Sequence, residues 1–556
     1  MQGGALLAAV ILAALLSAVL AVRRKRRVLT RQLQEEWGAA KPARTLDEDA
    51  LHSIAACWRD MPKSEPNFAR VDDITWSDLD MDAVFRHLNR TQSGVGEETL
   101  YQMLRCVDVS DETLLRRDRW MRALTDDAQN RAALQKRLRG LGFEHDHGAF
   151  SFLQNPGAAM PPHAWVYYAL AALPFVFMAL GFLNPLWLVG MGASLLLNAL
   201  VYYRTKQRWM RELSAIRHLA GVLHCARSMR GVSVSGMEDG LRELQTLCIA
   251  LKPLAWWNGL LAMQRVSDLD FITDYLRIAF QLDMLALIRL GAFMQTHAAE
   301  VMRMYLLVGE MDACIAVASA RKALAGFCVP EFWAEKRVLA EKVSHPLLKN
   351  PVPNTFDWKE NVLVTGSNAS GKSTFVKAVA VNAVLAQSVC TCWAERFQMP
   401  RAQVISSMAI RDNVQGGESY FIVEIKSLKR ILTALKSDVP TLCCIDEILR
   451  GTNTVERIAA SAALLRFLGG QNALCIAATH DRELTKLLPG YRQTHFREEI
   501  TPQGMVFPYK LMEGVSDTRN AIRLLEQMGF PAEVIQEADA MADEGKQQAS
   551  AQIIRN

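Results

Sequence analysis

Asn361-Val362-Leu363-Val364-Thr365-Gly366-Ser367-Asn368-Ala369-Ser370-Gly371-Lys372-Ser373-Thr374 is the stretch on which the reading of this chain turns. Asn361 to Thr365 is a short apolar, β-branched run and reads as a strand. A helical run begins near Ser373. Between them, Gly366 and Gly371-Lys372-Ser373 have the spacing G-x-x-x-x-G-K-[ST]. In a strand–loop–helix setting the glycines let backbone N–H groups turn inward onto phosphate oxygens, and the helix N-terminus adds partial positive charge. Gly366, Ser367, Asn368, Ala369, Ser370, Gly371, Lys372, Ser373 and Thr374 are therefore the candidate nucleotide-binding residues. Lys372 is expected to reach the β- and γ-phosphates, and the Ser373 hydroxyl to ligate Mg²⁺.

Two further apolar runs end in polar groups. Thr441-Leu442-Cys443-Cys444-Ile445 leads into Asp446-Glu447, and Ile476-Ala477-Ala478-Thr479 leads into His480. Ligands of parallel α/β sheets bind at the carboxyl ends of strands. Asp446 is the candidate second metal residue beside Ser373, holding Mg²⁺ through water, and Glu447 the candidate base that polarises water. His480 is placed to sense the γ-phosphate. The catalytic set expected is thus Glu447, Lys372 and His480, with ATP and Mg²⁺ as cofactors.

These segments together resemble the ATPase core of the MutS family, within the ABC-type ATPase superclass. The resemblance rests on Gly366-Ser367-Asn368 with Gly371 to Thr374, on Asp446-Glu447-Ile448-Leu449-Arg450-Gly451-Thr452-Asn453-Thr454, and on Ala478-Thr479-His480. Gly416-Gly417-Glu418-Ser419-Tyr420-Phe421 looks like the family's serine-bearing loop, which reaches the ATP of a partner subunit. The detailed resemblance spans about residues 351–496. A looser one reaches Arg90 to Arg105 and Gly309 to Ala313. It implies an ATP-driven homodimer in which Ser419, Gly451, Thr452 and Asn453 complete the other protomer's site, and it implies DNA as a partner. Glu418, Leu449 and Asn453 depart from the pattern of the mismatch-repair members. Those members also wedge a Phe-x-Glu aromatic into the duplex. Here only Phe496-Arg497-Glu498 has that spacing, at the end of the ATPase region, so mismatch recognition is not carried over.

Away from these motifs the chain is apolar. Half of its 556 residues are hydrophobic, which directs attention to membrane segments. Ala5 to Val22 is uncharged and is followed by Arg23-Arg24-Lys25-Arg26-Arg27. Charges after the apolar run favour an uncleaved anchor over a signal peptide. Ala164 to Phe182 and Leu186 to Tyr203 are uncharged arms around Leu183-Asn184-Pro185, with Arg204, Lys206, Arg208 and Arg211 beyond. The expectation is three spans with the basic flanks and the ATPase region on the cytoplasmic side, in a bacterial inner or cell membrane. The net charge of +5 is a mild excess and marks no nucleic-acid binder by itself. The eleven cysteines include no zinc-ligand spacing and read as reduced thiols.

The fold expected is an α/β P-loop ATPase domain of ABC type, C-terminal to an α-helical core with transmembrane helices. Along the chain this gives an anchor at 1–22, a cytoplasmic helical segment at 23–150, a hairpin at 164–203, a helical lever-like core at 204–345, the ATPase domain at 346–513, and a helical region and tail at 514–556. The function expected is that of a membrane-anchored, MutS-like ATPase coupled to dimer closure and DNA binding. The alternatives are an ABC-like transport ATPase, against which the uncharged spans speak, and an ATP-switched interaction scaffold without DNA.

Overall fold

The structure is a computed structural model. It describes residues 2–60, 70–107, 110–143, 148–154, 161, 163–254, 270–324, 326–367, 370–408, 420–435, 439–450, 452–501, 504–515, 528–538 and 540–541. The chain divides into two compact units. One comprises Met1–Glu65, Phe85–Leu104 and Ser110–Ala325. The other comprises Pro66–Val84, Arg105–Val109 and Gly326–Asn556.

The helices before the first strand are α1 (Gln2–Glu36), α2 (Glu48–Asp60), α3 (Asp73–Asp78), α4 (Met81–Leu88), α5 (Gly94–Arg105), α6 (Asp111–Asp126), α7 (Ala128–Arg139), α8 (Gly148–Gln154), α9 (Ala164–Gly181), α10 (Trp187–Arg208), α11 (Met210–Ser228), α12 (Glu238–Ala250), α13 (Asp270–Ala279) and α14 (Leu282–Ala323). Local chemistry sets their ends. Ser110 caps α6 by accepting from Thr113 N, with Asp111 and Glu112 in the first turn, where acids complement the helix dipole.

The first unit is organised on α14, whose second half is almost wholly buried. Gly309 on α14 is what lets α5 come close: a Cβ there would stand 1.9 Å from Thr99 Oγ1. Nearby, Asp312 of α14 accepts from Gln92 N at 2.8 Å and from Ser93 Oγ at 2.6 Å. The two pieces of looser resemblance, around residues 90–105 and 309–313, thus pack on each other.

The apolar hairpin forms as α9 and α10, joined at 182–186. Its outward face carries Phe175, Val189, Leu196 and Leu200, all largely exposed. Its inward face buries Asn198, whose Nδ2 donates to Leu170 O at 2.9 Å and Ala279 O at 2.6 Å. Among the described residues one helix, α9, is long and apolar enough to cross a membrane, one candidate where three spans are expected from the sequence. In α10, Ser194, Asn198, two tyrosines and the basic end from Arg204 dilute the apolar run. α1 is helical throughout, but many of its apolar side chains lie outside the described residues.

The second unit contains β1 (Glu331–Phe332), β2 (Val338–Val343), β3 (Asn354–Trp358), β4 (Val362–Thr365), α15 (Lys372–Val389), β5 (Arg396–Met399), β6 (Gln403–Ser407), α16 (Tyr420–Ala434), β7 (Thr441–Asp446), α17 (Thr454–Gly469), β8 (Ala473–Ala478), α18 (Glu483–Leu487), β9 (Arg492–His495), β10 (Glu499–Thr501), β11 (Gly504–Val506) and β12 (Met512–Glu513). The main sheet has the order β12-β9-β4-β8-β7-β6. It is parallel except for β12, which runs antiparallel to β9. β4, β7 and β8 are buried on both faces, as expected of central strands with helices on each side. A smaller sheet has the order β1-β5-β2-β3, and β10 pairs with β11.

The edge strand β6 is covered by an upstream piece of chain. Asp78, at the end of α3, accepts from Ser406 Oγ at 2.8 Å and Met408 N at 3.0 Å, while Thr75 Oγ1 accepts from Ser406 N at 3.2 Å. Arg430 of α16 pairs with Asp72. Edge N–H groups invite non-native pairing unless covered, and here residues more than 300 positions away cover them.

Candidate active site

Because β4, β7 and β8 are parallel neighbours, their carboxyl ends lie at one edge of the sheet. Thr479 N donates to Val364 O at 3.0 Å and Glu447 N to Ala478 O at 2.9 Å, which ties the three strand exits together. The loop after β4 turns at Gly366, with φ +138°, a region that glycine enters at little steric cost. A Cβ there would stand 2.4 Å from Phe496 O.

Lys372 opens α15 and is buried, 3% exposed. Its Nζ donates to Gly366 O and Ser367 O, both at 2.7 Å, so the ammonium is folded back under the loop. Burial pulls its pKa down to about 8, with Arg450 adding to the fall while Asp446 and Glu498 oppose it. Ser370 is buried and donates to Ser367 O at 2.8 Å; Ser367 Oγ donates to Glu498 Oε2 at 2.8 Å. Ser373 is half-buried and Thr374 exposed. Asn368 and Ala369 lie outside the described residues.

Asp446 ends β7, and its buried Oδ1 has no hydrogen-bond partner among the described residues. Glu447 takes a left-handed backbone, φ +56°, an unfavourable conformation for a residue with a side chain. Its carboxylate is flanked by Arg450 and by His480 Nε2, the latter at 2.7 Å. His480 is pushed below its ordinary pKa by burial and by Lys372 and Arg450, which favours the neutral ring at neutral pH.

Beside the loop is a cavity of about 460 Å³, lined by Lys372, Ser373, His345, Asn354, Phe496 and Tyr509 among others. It combines apolar walls with a few polar groups, the usual make-up of a small-molecule site. Burial, then Lys377, depresses His345 to about 4.

Residues 362–545 match the family model of MutS domain V, beginning at the first residue of β4. Over these residues the chain carries a MutS domain V. It is 32% identical over 246 residues to the DNA mismatch repair protein MutS of Natronomonas pharaonis, covering 42% of this chain and 28% of that relative. To that of Thermus thermophilus it is 30% identical over 241 residues, 42% and 29% of the two chains. To that of Staphylococcus haemolyticus it is 27% identical over 306 residues, 50% and 34%. The chain thus spans about a third or less of the relatives it matches.

Within the MutS domain, the residues expected to act across a dimer are differently placed. Ser419 and Gly451 lie outside the described residues. Asn453 caps α17 by accepting from Glu456 N at 3.0 Å, and Thr452 Oγ1 donates to Glu456 Oε2 at 3.1 Å. Sequence reasoning missed Phe496, Glu498 and Tyr509. Phe496 and Glu498 carry a signal, the Phe-x-Glu spacing, and both touch the loop. Tyr509 carried none.

Proposed function

We propose that this site binds and hydrolyses ATP with Mg²⁺, in a membrane-anchored member of the MutS family. The observation that carries the reading is Lys372. A buried ammonium is bonded to its own loop carbonyls and lies within electrostatic reach of a buried carboxylate that has an unpartnered oxygen. An incoming triphosphate gives Lys372 stronger, charge-assisted acceptors than Gly366 O and Ser367 O. The base and ribose would occupy the cavity walled by Phe496 and Tyr509.

The donor set suits a hard cation. Among the described residues no three His, Cys, Asp or Glu gather as a metal cage. Asp446 and the Ser373 hydroxyl would hold the ion together with substrate phosphates, the usual manner for Mg²⁺. Bound there, Mg²⁺ would neutralise charge on the phosphates. Glu447 then orients the attacking water once His480 and Arg450 release its carboxylate, and neutral His480 donates toward the γ-phosphate. MutS domain V is an ATPase-domain region of its family, which supports the same chemistry.

The printed names of the relatives, DNA mismatch repair protein MutS, support DNA as partner, and the family resemblance supports a homodimer closing over Ser419, Gly451, Thr452 and Asn453. The exposed apolar face of α9 and α10 supports anchoring in the membrane, with the ATPase domain cytoplasmic. The test is ATP turnover by the full chain in detergent, with and without homoduplex, mismatched and branched DNA at two salt concentrations. Mg²⁺-dependent turnover stimulated by one DNA form and weakened by salt supports the whole reading. Turnover indifferent to DNA removes that partner, and absence of turnover sinks the reading.

A further inference from the structure

The helical unit contains a second polar pocket, remote in sequence from the nucleotide motifs. It has a volume of about 150 Å³ and is lined by Glu36, Trp37, Arg44, Arg90, Gln92, Glu97, Arg139 and Phe143 among others. In a protein cavity that is room for a molecule about the size of benzene, too little for a nucleotide.

Its charges do not balance. Three arginines face two carboxylates. Arg44 pairs with Glu97 at 2.7 Å and Arg139 with Glu36 at 2.5 Å. Arg90 is left over. It is 9% exposed, and its guanidinium makes one hydrogen bond among the described residues, from NH1 to Ser319 O at 3.0 Å, in the last turn but one of α14. Among the described residues its buried Nε has no partner, and neither has Oε1 of Gln92, which is 4% exposed. The helix end supplies a partial negative charge, but among the described residues no carboxylate pairs with Arg90, and burial pulls its pKa down. Unlike lysine, arginine cannot shed its proton to escape the cost of burial. An uncompensated buried cation is among the most expensive arrangements in a fold.

We propose that this pocket binds a small oxyanion of the phosphate class, seated on Arg90 and Gln92. The anion's oxygens accept from the Arg90 guanidinium where it lines the pocket, with Gln92 beside it. The Trp37 and Phe143 rings wall the remaining space. The proposal does not depend on the ATPase reading, since the two sites share no residue.

The test uses the full chain in detergent with inorganic phosphate as probe, the nucleotide site being filled with a non-hydrolysable ATP analogue and Mg²⁺. Equilibrium dialysis with radiolabelled phosphate is expected to show one saturable site per chain. Arg90→Gln should lower phosphate affinity at least tenfold. Gln92→Glu sets a fixed anion beside Arg90 and should abolish binding while keeping the arginine, which covers the case in which Arg90→Gln does not fold. Lys372→Ala should leave phosphate binding unchanged; loss of binding in that variant alone would assign the phosphate to the nucleotide site and overturn the proposal. No saturable binding, or equal binding by wild type, Arg90→Gln and Gln92→Glu, would mean that the pocket holds water only.

Discussion

Lys372 and Arg90 are buried cations that each precede or open a helix, and their surroundings differ in an instructive way. Lys372 sits between a parallel sheet and a glycine turn, with two carbonyls on its Nζ and Asp446 within reach. Arg90 sits between helices with one carbonyl on its guanidinium and an idle Nε. The lysine can respond to burial by giving up its proton more easily, and it does. The arginine cannot, and in the proposal above a bound anion compensates it. One cation is tuned for a substrate that comes and goes, and the other is suited to a resident anion.

The strongest challenge to the first half of this comparison lies in its neighbours. Glu447→Gln is expected to cut ATP turnover by roughly 10²–10⁴-fold, the usual worth of a positioned base, while ATP binding survives. Normal single-turnover rates in that variant would remove Glu447 as the base. Lys372→Ala should lower turnover by about 10²–10³-fold, as removal of one preorganised charge donor does. An unaltered steady-state rate would dissociate the buried ammonium from phosphate.

A pH series sharpens the contrast between the two cations. Lys372 has its folded pKa lowered from 10.5 to about 8. Below pH 8 it is charged and ATP affinity should be flat; above pH 8 affinity should fall, by up to about tenfold per unit. The stability of the nucleotide-free protein moves the other way. The cost of burying the charged lysine is fully present below pH 8 and is relieved as pH rises from 8 toward 10.5. KM for ATP and thermal melting, measured from pH 7 to 10, check both signs. Phosphate binding at Arg90 should show no such break near pH 8, because guanidinium stays charged.

The smallest effect tests the scaffold behind Arg90. Gly309→Val forces side-chain atoms into Thr99 and should destabilise the helical unit by about 1–3 kcal/mol, the range for overpacking. Urea unfolding followed by far-ultraviolet circular dichroism would measure it, and a loss near zero would mean that α5 and α14 yield more easily than their packing suggests.

Legibility in the sequence follows the same division. The strand, loop and helix around residues 361–374 are announced by local grammar: β-branched residues, two glycines, then a helix-forming run. The apolar runs ending at Asp446 and His480 are announced likewise, and parallel pairing brings their ends to one edge. Local grammar does not reveal Tyr509, which reaches the cavity from more than 130 residues away, or α3, whose Asp78 covers β6. In the hairpin, composition shows the apolar arms. It does not show that Asn198 would find carbonyls from Leu170 and Ala279, the contacts that let a polar amide be buried there.

The sequence by itself determined that a glycine-bounded loop with Lys372 stands between a strand and a helix, and that Asp446, Glu447 and His480 terminate apolar runs. Backbone preference and hydrophobic periodicity act over a few neighbouring residues, so a short window suffices to read them. Only the tertiary structure decided that Phe496, Glu498 and Tyr509 join the loop, that residues 70–84 belong to the sheet's unit, and that Arg90 is buried beside a pocket whose two carboxylates pair with other arginines. Those outcomes depend on which distant surfaces close on each other and on which charges remain unpaired when they do. That balance is set by the whole chain.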